Sequence, residues 1–512
     1  MGKFNGIDTF HDGLAVSDYV NMVPLGDSCI DRLGEQVVSA LAFTTAAKVR
    51  GHFVDSAKRI YIVLADMVHV FEPSDESYTY AGVMAGLIDG EPVESFRLIG
   101  KSGPVSFAES SIKPSTVYLC DGFCIYKWDS TGSQALLIRT MLPPNVFPAL
   151  PEEWEAARAI DPYDILTGRS GKMFDTSEMA RIDSIDWFDN KLVGVQKDKN
   201  TVWLTCTDPE QFDRNALLNP WGEQYQLWNN WYASTNSADK LNTAVAFGGQ
   251  LYLLNDNSIE IWARTGMENA PLQSNTMQVI HHGARNPLVI GDSMYVIAND
   301  RVGSDYVALI QNGQFKRISS FEIDHRLRGP IDIVPIAMRG ETYIMVRDNG
   351  GLDGYVYTEG KWWHWVHPQK DTDGVISSVY KNFAITDRGV LVKFTDDSRR
   401  TYTGEPIVRY IRDSFETWHT RKLFRRISVS MDSGRVTEPG ADDDLNRQIY
   451  IRLSTNRGLS FGQYFFRKLG KSGMNNKVVE WLGLGSGNSM LLEIGTSSAY
   501  KLQIYDINIV VQ

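Results

Sequence analysis

Apolar and polar residues alternate along most of this chain in short runs broken by turn signals, the pattern of antiparallel strands. Residues 58–71, K-R-I-Y-I-V-L-A-D-M-V-H-V-F, read as two strands around Ala65-Asp66. Residues 116–128, T-V-Y-L-C-D-G-F-C-I-Y-K-W, read as a hairpin whose Asp121-Gly122 suits a primed turn. The same unit returns at Asp189-Asn190, Gly248-Gly249, Gly291-Asp292, Arg339-Gly340 and Lys381-Asn382. From the fourth copy onward the turns recur at about 40 to 50 residues, the spacing of four-stranded propeller blades. Several hairpins are followed by a third strand rich in aromatics, such as Ile259-Glu260-Ile261-Trp262 and Trp362-Trp363-His364-Trp365. A sheet this small cannot cover both of its own faces, so the units are expected to stack radially.

The pattern therefore predicts an all-β chain: a β-propeller of six or seven blades over 50–400, with an insertion at about 129–180, and an N-terminal arm at 1–49. Within the insertion, prolines lead into P-E-E-W-E-A-A-R-A-I, where an initial Pro and two acids favour a short helix. Past residue 400 the strands lengthen, as in R-R-I-S-V-S-M and Y-K-L-Q-I-Y-D-I-N-I-V-V, which predicts a C-terminal β-sandwich over 401–512.

Composition agrees. The 512 residues are 43% hydrophobic and include 43 Gly, 22 Tyr, 22 Phe and 13 Trp, an excess that favours strands and tight turns. The formal charge is −11, which argues against coating nucleic acid through a basic face. Residues 401–512 hold 15 basic and 11 acidic side chains, leaving 36 and 51 for the rest, so the acidic excess belongs to the propeller. The polar start, MGKFNGIDTFHDG, lacks the apolar stretch of a secretory signal, and Gly6 stands where a myristoylation motif needs Ser or Thr. No apolar run reaches the roughly 20 residues of a membrane span. With four cysteines, synthesis in a reducing cytosol is expected.

Motifs that imitate chemistry have simpler readings. Gly26-Asp27-Ser28-Cys29 and Gly291-Asp292-Ser293-Met294 resemble the Gly-Asp-Ser of esterases, but the second lies between two strands where Gly-Asp makes a hairpin turn. Cys120 and Cys124 flank a turn, Cys29 and Cys206 stand alone, and His281-His282 is adjacent rather than one helical turn apart, so no metal is expected. No catalytic residue and no cofactor is expected either. Asp442-Asp443-Asp444 reads as a solvated loop. The aromatic clusters 228–232 and 362–365 read as blade packing; their alternative is a platform for stacking sugars or bases. Ser454-Thr455-Asn456-Arg457-Gly458-Leu459-Ser460-Phe461 fits a degenerate Asp-box, in which Asn456 bonds backbone amides, Gly458 takes positive φ and Phe461 plugs the base of the turn.

In order along the chain, further segments resemble one family, the packaged-DNA stabilisation proteins of short-tailed bacteriophages, which form the tail hub or nozzle. N-S-I-E-I-W-A-R-T-G (257–266) is similar to the family's "tIE" strand and TG turn, and R-I-S-S-F-E-I-D-H-R-L-R-G (317–329) to its "iSt-x-x-IE" segment. Between them, Gly283 matches a family glycine. V-N-M-V-P (20–24) resembles an Asn-containing N-terminal segment, and T-V-W-L-T-C-T-D-P-E-Q-F-D (201–213) a "W-x-x-T/S-D" turn. The Asp-box with K-V-V-E-W-L-G (477–483) resembles a C-terminal pattern in which Lys477 replaces Arg and Asn456 the acid. A "PGL"-like strand is not evident around 27–38, and the insertion is longer than the resemblance implies.

The resemblance implies a virion structural protein without enzymatic activity: a homohexameric ring below the portal and its adaptor. Such a ring continues the DNA channel, retains the packaged genome and serves in its ejection. Partners would be further copies of the chain, the head–tail adaptor, a tail needle or plug, fibre or spike proteins, and DNA sliding past without sequence-specific contact. An acidic lumen suits that role, because each basic phosphate contact adds salt-dependent grip. The alternative from the residues is a glycan-binding or sialidase-like propeller, motivated by the Asp-box and the Trp clusters.

Overall fold

The turn residues that punctuate the sequence take the backbone conformations their chemistry permits. Asp189 and Asn190 (φ 49° and 61°), Gly248 and Gly249 (58° and 75°), and Arg339 and Gly340 (55° and 89°) hold positive φ in pairs. That is the signature of type I′ turns, whose twist matches the strands they join. A computed structural model describes residues 18–25, 28–40, 49–74, 78–88, 91–98, 100–113, 116–122, 125–129, 136–140, 182–196, 199–205, 228–234, 240–267, 270–274, 280–299, 303–327, 331–348, 354–366, 376–380, 382–386, 390–396, 398–401, 403–415, 419–436, 447–456, 458–469, 474–498 and 500–512. Two compact units emerge, 41–317 and 1–40 with 318–512.

Among the described residues, 41–317 carry five blades. Four have four strands, beginning at Val49–Val54, Ile182–Phe188, Leu241–Phe247 and Gly283–Ile290. The fifth, second in chain order, begins at Ser106–Glu109, and the strands Ala85–Ile88 and Glu91–Val93 widen it to six. Its fourth strand is Leu136–Thr140, paired with Ile125–Asp129, so residues 136–140 of the expected insertion belong to the blade. Residues 141–181, with the expected helix, lie outside the described residues.

Both faces of each central strand are used. In Gln250–Asn255, Leu251 and Leu253 pack with Val193, Val195 and Leu204 of the preceding blade. Tyr252 and Leu254 pack with Met294, Val296 and Ala308 of the following one. Val117 and Leu119 likewise face back toward Tyr61 and Val63, whereas Tyr118 and Cys120 face forward to Ile185 and Leu192. Strand alternation thus feeds two cores, one on each side. At roughly 25 cal/mol per Å² of apolar surface, this stacking dominates the unit's stability.

The second unit contains two more blades and a sandwich, and the N-terminus enters all three. Its early strands are β1 (Asp18–Val20), β2 (Met22–Leu25), β3 (Ser28–Asp31) and β4 (Gly34–Ala40). β4 supplies the outer strand of the blade formed by Ile376–Tyr380, Phe383–Thr386 and Val390–Thr395. β1 joins Lys361–Trp365, the outer strand of the other blade, to Arg409–Phe415, which merges blade and sandwich into one nine-stranded sheet. β2 and β3 extend the opposing sandwich sheet beside Tyr500–Val511. Between the two sandwich sheets lie Ile427, Val429, Met431 and Trp481 from one side and Ile411, Ile451, Leu492 and Ile494 from the other. The described residues are therefore nearly all β, with propeller blades and a C-terminal β-sandwich; the exception is a short helix at Phe321–Arg326.

Candidate functional site

Within 41–317 the first strand of each blade has one unpaired edge, and small polar side chains staple successive first strands together. Ser56 donates from its backbone N–H and hydroxyl to Glu109. Ser106 Oγ accepts from the Ile185 N–H at 3.0 Å, Ser184 and Thr243 share a hydroxyl bond at 3.2 Å, and Asn242 donates to the Ala284 carbonyl at 3.2 Å. Asp186 accepts from the Ala246 N–H and from its neighbour Trp187, both at 2.7 Å. Burial pushes the Asp186 carboxyl up to about 6, while those two N–H donors pull it the other way. Charges near this seam are tied down as well. Arg50 spends its guanidinium on the carbonyls of Ala65, Gly100, Ser102 and Gly103, and Arg285 is paired with Asp305 at 2.6 Å. A seam built this way is rigid and hydrogen-bonded blade to blade; the seam was not legible in the alternation.

In the other unit the N-terminal strands are clasped by polar groups. Asn21 sits in left-handed conformation (φ 53°) and its amide bridges the Val366 carbonyl and N–H and the Val408 carbonyl, at 2.9 to 3.0 Å. That explains an asparagine in V-N-M-V-P, since Asn tolerates positive φ and offers both donor and acceptor. Buried Asp31 accepts from Arg399 Nε (2.7 Å), Arg409 Nη1 (2.6 Å) and the Leu502 N–H (3.0 Å). Burial lowers the pKa of Arg409, which Asp31 opposes; for Arg399 burial acts downward too, but Asp31 and Asp396 outweigh it and raise the value. Neighbouring Arg32 is also buried, bonded to Glu35 at 2.8 Å with its guanidinium 4.0 Å from the Trp365 ring. A cavity of about 270 Å³ lies beside this clasp, its apolar wall including Val23, Leu33 and Met338. At its side burial, reinforced by the Glu341 carboxylate it bonds, pushes Tyr343 up to about 12.

The residues singled out for chemistry are placed apart. Ser293 follows Gly291 (φ 59°) in a hairpin turn and bonds Asp292, while Ser28 starts β3 and donates to the Leu25 carbonyl. Gly26, Asp27, Cys124, Cys206 and Asp442-Asp443-Asp444 lie outside the described residues. Cys29 and Cys120 are buried, and burial pushes both thiols up. His282 stacks on Phe315 and shares a hydrogen bond with Tyr306. Among the described residues no group of three His, Cys, Asp or Glu could hold a metal. Trp362, Trp363 and Trp365 are buried, so they serve as packing and offer no open stacking face.

The Asp-box closes as its chemistry predicts: Asn456 Oδ1 accepts from the Ser460 N–H at 3.0 Å, Ser454 Oγ from the Gly458 N–H at 2.9 Å, and Gly458 has φ 83°. Phe461, expected at the base of the turn, lies under two guanidiniums, 4.5 Å from Arg452 and 5.1 Å from Arg412. Both arginines bond Glu493.

Two residues in the middle of the chain are more telling. Glu260 is buried and accepts from Ser234 Oγ at 2.5 Å and from Trp262 Nε1 at 3.0 Å. Gly283 faces the Asp256 carbonyl so closely that a Cβ would stand 1.7 Å from its oxygen. Residues 92–333, which contain both, match the model of the phage stabilisation family, described as "Bacteriophage P22 Gp10, beta-propeller". Over that stretch the chain is similar to the phage stabilisation family.

That match supports a phage structural β-propeller protein, and with it a place in the virion. The buried Glu260 and the side-chain-free Gly283 have structural reasons of their own: Glu260 holds Ser234 and Trp262, and Gly283 admits the Asp256 carbonyl. No curated protein matches the chain. Among solved structures, virginiamycin B lyase from Staphylococcus aureus is similar over 71% of this chain and 98% of that one, at 10% identity and a TM-score of 0.41. A functionally unknown protein from Desulfotomaculum acetoxidans DSM 771 is similar over 67% and 92%, at 12% identity and a TM-score of 0.39. No helix among the described residues is long and apolar enough to cross a membrane.

Proposed function

We propose that this chain assembles as a homohexameric ring in a phage short tail, below the portal and its adaptor, where it continues the DNA channel. The ring retains the packaged genome and serves in its ejection. The family match over 92–333 is the observation that carries the reading. Physical chemistry supports it further. A ring repeats one heterologous contact around a closed axis, so a modest contact repeated becomes a stable assembly. A conduit must let DNA slide, which disfavours basic contacts, and residues 41–317 hold 33 acidic against 23 basic side chains. The blade-to-blade staples supply stiffness for a part that must withstand a confined genome.

The proposed partners are further copies of the chain, the adaptor, a needle or plug, and fibre or spike proteins; DNA passes without sequence-specific contact. Electron microscopy of the purified chain mixed with its adaptor is expected to show rings stacked on the adaptor–portal axis. A chain that stays monomeric and never joins such an assembly overturns the proposal.

A further inference from the structure

Arg32 is buried with more donors than the fold uses. Its Nη1 donates to Glu35 Oε1 at 2.8 Å, and its guanidinium carbon lies 4.0 Å from the centre of the Trp365 ring. Among the described residues, Nε and Nη2 of Arg32 have no hydrogen-bond partner. Neither has Nε1 of Trp363, whose ring centre lies 5.6 Å from that of Trp365. All three are donors, and native folds seldom leave buried donors unmet. Burial lowers the Arg32 pKa; the Glu35 charge opposes this and the Arg399 charge adds to it. Beyond Glu35, then, the charge that reaches Arg32 is that of a second cation. Arg32 also lines the cavity of about 270 Å³ beside the clasp, with Val23, Leu25, Ile30, Leu33 and Met338 as its apolar neighbours there.

We propose that this cavity binds a carboxylate, held side-on by Nε and Nη2 of Arg32, with a short aliphatic chain along the apolar wall. The two N–H groups point the same way and match the two oxygens of a carboxylate. A set of unmet donors calls for an acceptor, and a cation with one acid for partner calls for an anion. The apolar wall favours hydrocarbon behind the head group. Glu341 and Glu359 line the cavity too, but the group they act on is Tyr343, and neither is among the charges that reach Arg32. They keep the carboxylate at the Arg32 end. Arg339, on the same wall, is balanced by Asp31 and Asp396. Because the Arg32 side chain is shielded from solvent, the wall beside it must give way when the head group enters. The free and bound states therefore differ in the packing around Trp365.

The inference does not depend on the ring reading, and the full chain tests it alone. Titration with sodium butyrate should give a saturable change in Trp fluorescence and a rise in melting temperature. Sodium chloride at the same ionic strength should give neither. Arg32→Lys keeps the charge and loses the fork, so it should weaken binding by at least about 10-fold. Since that change also alters the Trp365 stack, Leu25→Phe narrows the cavity with Arg32 in place, and it should weaken the response while circular dichroism stays unchanged. No saturable response, an equal response to chloride, or one that survives both variants overturns the proposal. Tighter binding of butylammonium overturns it too, and assigns the cavity to Glu341 and Glu359. Glutamate blocked at both ends separates the sources of the carboxylate. If it binds more tightly than butyrate, the occupant is an acidic side chain of a partner; if less tightly, it is a free acid, and either result upholds the carboxylate.

Discussion

The carboxylate of Asp31 lies 2.6 Å from Nη1 of Arg409, 378 positions further along the chain, and both side chains are buried. With Arg399 and the Leu502 N–H on the same carboxylate, one acid ties together the N-terminal strands, the end of the last blade, the start of the sandwich and its final strand. Removing one member of a buried ionic cluster leaves uncompensated charge, which costs about 3–5 kcal/mol. Asp31→Ala should therefore lower the denaturant midpoint of the transition that unfolds the sandwich and release β1–β4 to faster hydrogen exchange. A loss of stability below about 1 kcal/mol, from the midpoint shift and the slope, would show that the cluster is incidental.

Short apolar runs bounded by turn residues made the blades of 182–365 legible, because a central strand such as Gln250–Asn255 buries both faces and reads as a nearly continuous apolar stretch. The turns were legible for the same local reason: Gly248-Gly249 and Asp189-Asn190 allow the positive φ that their hairpins need. What could not be read was pairing at long range. β4 looks like any half-buried strand, and nothing in Gly34–Ala40 announces that its partner is Val390–Thr395. Asp31 and Arg409 are likewise ordinary charges until the fold removes water from around them. Only Asn21, inside a segment similar to a known family, offered a signal of the clasp in advance.

His69 gives the first blade a pH dependence of known sign. Burial lowers its pKa from 6.5 to about 4, so the folded state favours neutral imidazole, which shares a hydrogen bond with the Tyr80 hydroxyl. The stabilisation is complete above the unfolded value near 6.5 and is lost as pH falls from there toward 4, by about 3 kcal/mol for a shift of this size. Urea unfolding between pH 7 and pH 4 should show this slope, and His69→Phe should flatten it. An unchanged slope in the variant would place the acid sensitivity elsewhere.

Asp186 has the opposite sign. Its folded pKa of about 6 exceeds the ordinary 3.8, so ionisation is disfavoured by folding. Below about pH 4 the carboxyl is protonated in both states and costs nothing; the penalty grows as pH rises through about 6 and is constant beyond. Since the residue keeps some exposure, screening holds the effect to about 1–2 kcal/mol. The blade 182–205 should gain protection from hydrogen exchange between pH 7 and pH 5, after correction for intrinsic rates. In Asp186→Asn that gain should vanish. Its persistence would mean that another group titrates.

Leu253 and Tyr252 are adjacent in one strand yet belong to different cores, and this separates the stacking of blades from their individual stability. Leu253 packs against Val193, Val195 and Leu204 on one side, and Tyr252 faces Met294 and Val296 on the other. Truncating a buried Leu to Ala costs about 2–5 kcal/mol, and a large aromatic toward the upper end. Because each core is shared by two blades, the loss must appear in the neighbour as well as in the mutated strand. Leu253→Ala should speed hydrogen exchange in Lys191–Gln196 and Thr201–Thr205 while sparing Ser293–Asn299. Tyr252→Ala should do the reverse. Equal acceleration on both sides in each variant would mean that the blades unfold as one cooperative block, and that alternation sets their packing without dividing their stability.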